Sequence, residues 1–96
     1  MESLELTGIV KKEGRRYSAL CLELDVASCG DTQEEAMQAL KDAVETYVQY
    51  MVEEGREDEI YRPVPLEALR EFLTDVETKP VSHPFRAFAL EYSRAA

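Results

Sequence analysis

Histidine occurs once and cysteine twice in the 96 residues, and no apolar stretch approaches the about 20 residues a helix needs to cross a bilayer. Each scarcity closes off a chemistry. His83 stands between Ser82 and Pro84, in a loop-forming context and without the positioned partner that general-base work needs. Cys21 and Cys29 match no short metal or redox spacing, and together with His83 they fall short of a closed zinc site. They read as two small buried thiols, kept reduced in a cytosol. No Ser-His-Asp arrangement, Walker loop or dinucleotide fingerprint occurs, and the single Gly30 before a helix is too little to cradle a phosphate. The start MESLEL has neither the basic segment nor the apolar run of a secretion signal, so the expected compartment is the cytoplasm. No cofactor, metal or membrane attachment is expected.

Positive charge is scarce too. Eleven Lys and Arg stand against 20 Asp and Glu, a formal net charge of −9. Such a chain repels a phosphate backbone and attracts a basic partner, although the same charge also serves solubility.

What is present is patterning. With 45% hydrophobic and 32% charged residues the composition is that of a folded protein, and the length suits a single domain over residues 1–96. LELTGIV (4–10) alternates Leu4, Leu6 and Val10 against Glu5, Thr7 and Ile9, as a strand does, with Gly8 marking a bend. KKEGRR supplies a charged turn at Gly14, and YSALCLEL resumes with Leu20, Leu22 and Leu24 opposite Tyr17, Ala19 and Cys21. VASC is short but compatible with a third strand, stopped by Gly30 and Asp31.

From residue 32 to 54 the period changes. Met37, Leu40, Val44, Tyr47 and Met51 recur at steps of three and four, flanked by Ala36, Ala43 and Val48, which predicts a long helix able to cover a sheet. Thr32 and Glu35 have capping-box spacing, acids in the first turn suit the helix dipole, and Gly55 is a natural terminator. EEGREDEIYRPVP then breaks the pattern as an extended connection. PLEALREFLTDV, with Leu66, Leu69, Phe72, Leu73 and Val76, predicts a shorter helix ended by TKPVSHP, and FRAFALEYS a fourth strand with Arg86, Phe88, Leu90 and Tyr92 on one side. The order β-β-β-α-α-β implies an α+β domain: an antiparallel three- to four-stranded sheet covered by one long helix, with its core in residues 4–55 and a C-terminal helix and strand in 65–92.

GRRYSALCLELDVASCGDTQEEAMQALKDAVETYVQYMVEEG resembles the HicB family of antitoxin-like proteins, over roughly residues 4–55 and with an echo at RPVP. The likeness lies in the order of elements, a strand ending CLELDV, a short ASC, then GDTQEEAMQAL opening a long helix. Leu22 stands where many relatives have proline. The resemblance implies a partial ribonuclease-H-like fold without nuclease activity that, in full antitoxins, covers a small basic HicA-type ribonuclease toxin. By this likeness Gly30, Asp31, Thr32 and Glu35 form an architectural turn and cap. Residues 56–96 offer no clear helix-turn-helix, so direct DNA binding is not expected.

Three functions compete at this stage. The first is a non-catalytic antitoxin-type binder using the acids and aromatic around Glu23, Asp25, Tyr50, Glu53 and Glu54. A second is a stand-alone homo-oligomer, a dimer or larger, with no toxin partner, pairing through its last strand or an aromatic edge. The third is a residual magnesium-dependent nuclease built on Asp25, Asp31, Glu34 and Glu35, although turn and cap chemistry already accounts for most of those acids.

Overall fold

The computed structural model describes residues 4–74 and 85–92. Four strands, β1 (Leu4–Glu13), β2 (Arg16–Cys21), β3 (Val26–Gly30) and β4 (Phe85–Tyr92), form one antiparallel sheet in the order β3-β2-β1-β4. A 21-residue helix α1 (Gln33–Glu53), a single 3-10 turn (Glu57–Glu59) and a nine-residue helix α2 (Leu66–Thr74) lie between β3 and β4. The fold is α+β with the expected element order, and the fourth strand adds to the same sheet as the first three.

Register fixes which side chains share a face. Cross-strand partners Gly8 and Cys21, Val10 and Ala19, Leu6 and Leu90, and Cys21 and Val26 align one face. Against it α1 lays Ala36, Leu40, Val44, Val48 and Met51, so the buried line of the helix runs beside the one expected, with Met37 and Tyr47 only half-buried at its margin. Leu6, Val10, Ala19, Cys21, Leu24, Ile60, Leu90 and Tyr92 complete this core.

The second strand departs from expectation. It ends at Cys21, and Leu22 to Asp25 form a turn rather than more strand. The small residues Ala19 and Cys21 face α1, whereas Leu20 points to the opposite face. Leu24 reaches the core because the turn, closed by Asp25 N–H on the Cys21 carbonyl at 3.0 Å, swings it back inward. Small side chains under a helix let it approach the sheet closely, which two glycines reinforce. A Cβ on Gly30 would lie 2.6 Å from the Ala36 backbone nitrogen, and one on Gly8 would lie 2.6 Å from Cε2 of the Phe88 ring. Gly30 therefore serves close approach, and Gly8 provides a floor for an aromatic across the strand pair.

Both ends of α1 are satisfied by local chemistry. Thr32 Oγ1 accepts the Glu35 N–H at 3.1 Å, while the Glu35 carboxylate accepts from Asp31 N–H, one residue earlier than a reciprocal capping box requires. At the other end Gly55, with φ of +69°, and Arg56 donate to the Val52 and Met51 carbonyls, which is a Schellman closure.

The opposite face of the sheet also buries side chains. Ile9, Lys11 and Leu20 are 3 to 6% exposed. Lys11 Nζ donates to the Phe72 carbonyl at 2.8 Å and lies 4.5 Å from the centre of the Phe72 ring, so α2 is pinned on this side. Leu66, expected on the apolar stripe of α2, is instead 78% exposed. Val76, the terminating TKPVSHP segment and His83 lie outside the described residues.

Candidate partner-binding surface

The residues singled out for binding gather at the end of the sheet where α1 terminates. The segment after the 3-10 turn runs beside the Leu22–Asp25 turn: Arg62 N–H donates to the Glu23 carbonyl at 3.0 Å and Val64 N–H to the Leu22 carbonyl at 2.9 Å. Arg62 Nε also donates to the Leu24 carbonyl at 3.0 Å, and its guanidinium sits 4.8 Å from the centre of the Tyr47 ring. Tyr47 in turn donates its hydroxyl to the Ile60 carbonyl at 2.8 Å. These contacts bind the end of α1 to the β2-β3 turn and bury Ile60 in the core. The acidic connection is thus anchored by one apolar residue and one arginine, neither of which the sequence reading singled out. A lone isoleucine in REDEIYRP was the available signal.

At this end Tyr50 is 53% exposed, and Glu53, Glu54 and Asp25 are open to solvent. Asp25 has φ of +54°, in the left-handed region that aspartate tolerates better than most residues, so it also shapes the turn. Glu23 behaves differently from the exposed acid expected of it. It is half-buried, and its carboxylate accepts from the Thr7 N–H at 2.7 Å and from the Thr7 hydroxyl at 2.9 Å. Glu23 therefore has a structural occupation, whereas Asp25, Tyr50, Glu53 and Glu54 are displayed. Tyr61, 55% exposed, adds a second aromatic to the segment.

The acids of the nuclease alternative are not brought together. Asp25 and Asp31 flank the two ends of β3, about 20 Å apart for an extended run of this length. Asp31 pairs with Arg16 Nε at 3.1 Å, and the Glu35 carboxylate accepts from the Asp31 N–H. Among the described residues no three His, Cys, Asp or Glu side chains converge to hold a metal. Cys21 and Cys29 are both free, on opposite faces of the sheet, and only Cys21 is buried, so Cys29 departs from the buried thiol expected. Burial pushes the Cys21 thiol pKa up, partly offset by hydrogen bonds from the Leu24 and Glu23 backbone. It is held as an inert thiol. No helix among the described residues is long and apolar enough to cross a membrane.

Comparison with known proteins returns no matching family model, no matching curated protein and no matching solved structure.

Proposed function

We propose that this chain is a non-catalytic HicB-like binding protein of the antitoxin type, acting in the cytoplasm on a small basic HicA-type ribonuclease. The observation that carries the reading is the GDTQEEAMQAL stretch within a chain of net charge −9. It is supported by the exposure of Asp25, Tyr50, Glu53 and Glu54, with Glu53 and Glu54 one helical turn after Tyr50, since exposed acids beside an aromatic suit a basic protein surface. Such a protein needs no reacting group. It inhibits by occupying the cationic surface on which the toxin holds RNA, and electrostatic attraction speeds the encounter.

The test is RNA cleavage by a HicA-type ribonuclease titrated with this protein. Stoichiometric inhibition that weakens at high salt is expected. Glu53→Lys with Glu54→Lys should lower the association rate, and Asp25→Asn removes charge while keeping a residue that accepts the turn's backbone. Full cleavage in the presence of excess wild-type protein would refute the reading.

A further inference from the structure

We infer that residues 62–65 form a releasable strap, and that its release flips the peptide between Leu22 and Glu23, so that the Leu22 carbonyl takes the Thr7 N–H and the Glu23 carboxylate is set free. This device is independent of the antitoxin reading, and its test needs no partner.

The strap is built to hold on one side only. In RPVP the prolines at 63 and 65 have no N–H, so Arg62 and Val64 carry the strap's only backbone donors, and each is held extended by the proline that follows it. Residues two apart in an extended chain face the same way. Both donors meet the turn after β2, Arg62 N–H at the Glu23 carbonyl (3.0 Å) and Val64 N–H at the Leu22 carbonyl (2.9 Å). The turn donates nothing in return. Leu22 N–H goes to the Thr7 carbonyl and Asp25 N–H to the Cys21 carbonyl, while the Glu23 and Leu24 N–H groups bond the Cys21 thiol. Donations in one direction, even with the Arg62 side chain on the Leu24 carbonyl, make a weaker join than a strand pair that exchanges both groups.

The turn is half of a second arrangement already. Gly8 pairs with Cys21, Ile9 with Leu20 and Val10 with Ala19, so the next partners in this register are Thr7 and Leu22. Leu22 N–H does reach the Thr7 carbonyl, but the Leu22 carbonyl is turned away to Val64. In a strand the N–H and carbonyl of one residue point to the same neighbour, so rotation of one peptide plane separates the turn from a completed pair. The same rotation takes the Glu23 N–H off the Cys21 thiol. Thr7 N–H therefore has alternative acceptors: the Glu23 carboxylate, at 2.7 Å, while the strap is bound, and the Leu22 carbonyl once Val64 has left it.

The exchange has consequences at the surface. Release lengthens β2 by one residue and turns Glu23, two positions from the exposed Asp25, out to solvent. It also lifts Arg62 from the Tyr47 ring, so α1 loses a clamp near its end in the same step.

Hydrogen exchange and scalar couplings through hydrogen bonds, both read by NMR, test the device. In the wild-type protein the Arg62 and Val64 amides should open together, with protection at least about tenfold below that of the Leu40 and Val44 amides in α1. The Thr7 nitrogen should couple to the carboxylate carbon of Glu23. In Glu23→Ala it should couple instead to the Leu22 carbonyl carbon, and Val64 exchange should speed up about tenfold as its acceptor is withdrawn. Val64→Pro deletes the strap's donor with Glu23 in place, and should move the Thr7 coupling to Leu22 as well. A carboxylate that only fills a gap predicts otherwise: in Glu23→Ala, Thr7 would exchange freely without coupling to Leu22, and Val64 would stay as protected as before. That result, a Thr7 coupling that remains on Glu23 in Val64→Pro, or Arg62 and Val64 amides that open only with global unfolding would each overturn the proposal.

Discussion

The Glu23 carboxylate takes the place of a missing strand bond at Thr7. Leu22 donates its N–H to the Thr7 carbonyl at 2.9 Å, but the Leu22 carbonyl that would complete the pair accepts instead from Val64 N–H. Thr7 N–H is left to Glu23, which accepts it at 2.7 Å and takes the Thr7 hydroxyl as well. One side chain thereby lets the chain turn out of the sheet and still satisfies the backbone there. Glu23→Ala should cost about 1.5–3 kcal/mol, the range for a hydrogen bond to a charged group. Glu23→Gln, which keeps an acceptor for the N–H, should cost less. Urea unfolding of the two variants measures the difference, and equal losses would show that charge rather than this bond matters.

Lys11 tests the attachment of α2. Its side chain is 2% exposed, donates to the Phe72 carbonyl of α2, and has a Glu13 carboxylate oxygen 3.7 Å away. The hydrogen bond from a charged donor is strong, and the ring contact adds to it. Lys11→Ala should destabilise by about 2–3 kcal/mol. It should also speed tryptic cleavage after Arg70 more than after Arg56, because α2 loses its anchor while the end of α1 keeps its own.

The two tight glycines should not respond alike to alanine. At Gly30 the added methyl meets backbone of the α1 start, which cannot move without tilting the helix, and a cost of about 3 kcal/mol is expected. At Gly8 it meets the Phe88 ring, a half-buried side chain able to swing aside, so Gly8→Ala should cost about 1–2 kcal/mol. Thermal melts of both variants decide the ranking.

Thiol chemistry distinguishes the two cysteines and sets an alkaline limit. A maleimide at neutral pH should label Cys29 in the folded protein and reach Cys21 only after denaturation. Burial raises the Cys21 pKa, so in the alkaline range the unfolded chain releases that proton before the folded one does. The unfolded state then binds fewer protons, and stability falls as pH rises from the ordinary thiol range toward the folded value. The contribution is fully present below that range. Cys21→Ala should flatten this part of the stability profile.

The long helix was legible because its signals are local and redundant. Thr32, Gly55 and an apolar period over six turns all concern neighbours within a few residues. The strands were legible in position, but their faces were harder. Leu20, Leu22 and Leu24 alternate as one apolar face, yet the chain leaves the sheet after Cys21 and the three leucines end in different environments. The candidate surface was read the same way: an acid is an acid in sequence, and only a neighbour 16 residues away distinguishes Glu23 from Asp25.

The sequence by itself determined an α+β chain with three early strands, a capped helix, a shorter helix and a last strand, because periodicity and capping depend on side chains close along the backbone. Tertiary structure alone decided that β4 lies beside β1 rather than β3, that α2 is fastened by a buried lysine, and that Ile60 and Arg62 tie an acidic connection to the core. Those outcomes rest on hydrogen bonds and contacts between residues 13 to 61 positions apart, or on strand pairing at still longer range, which no local pattern encodes.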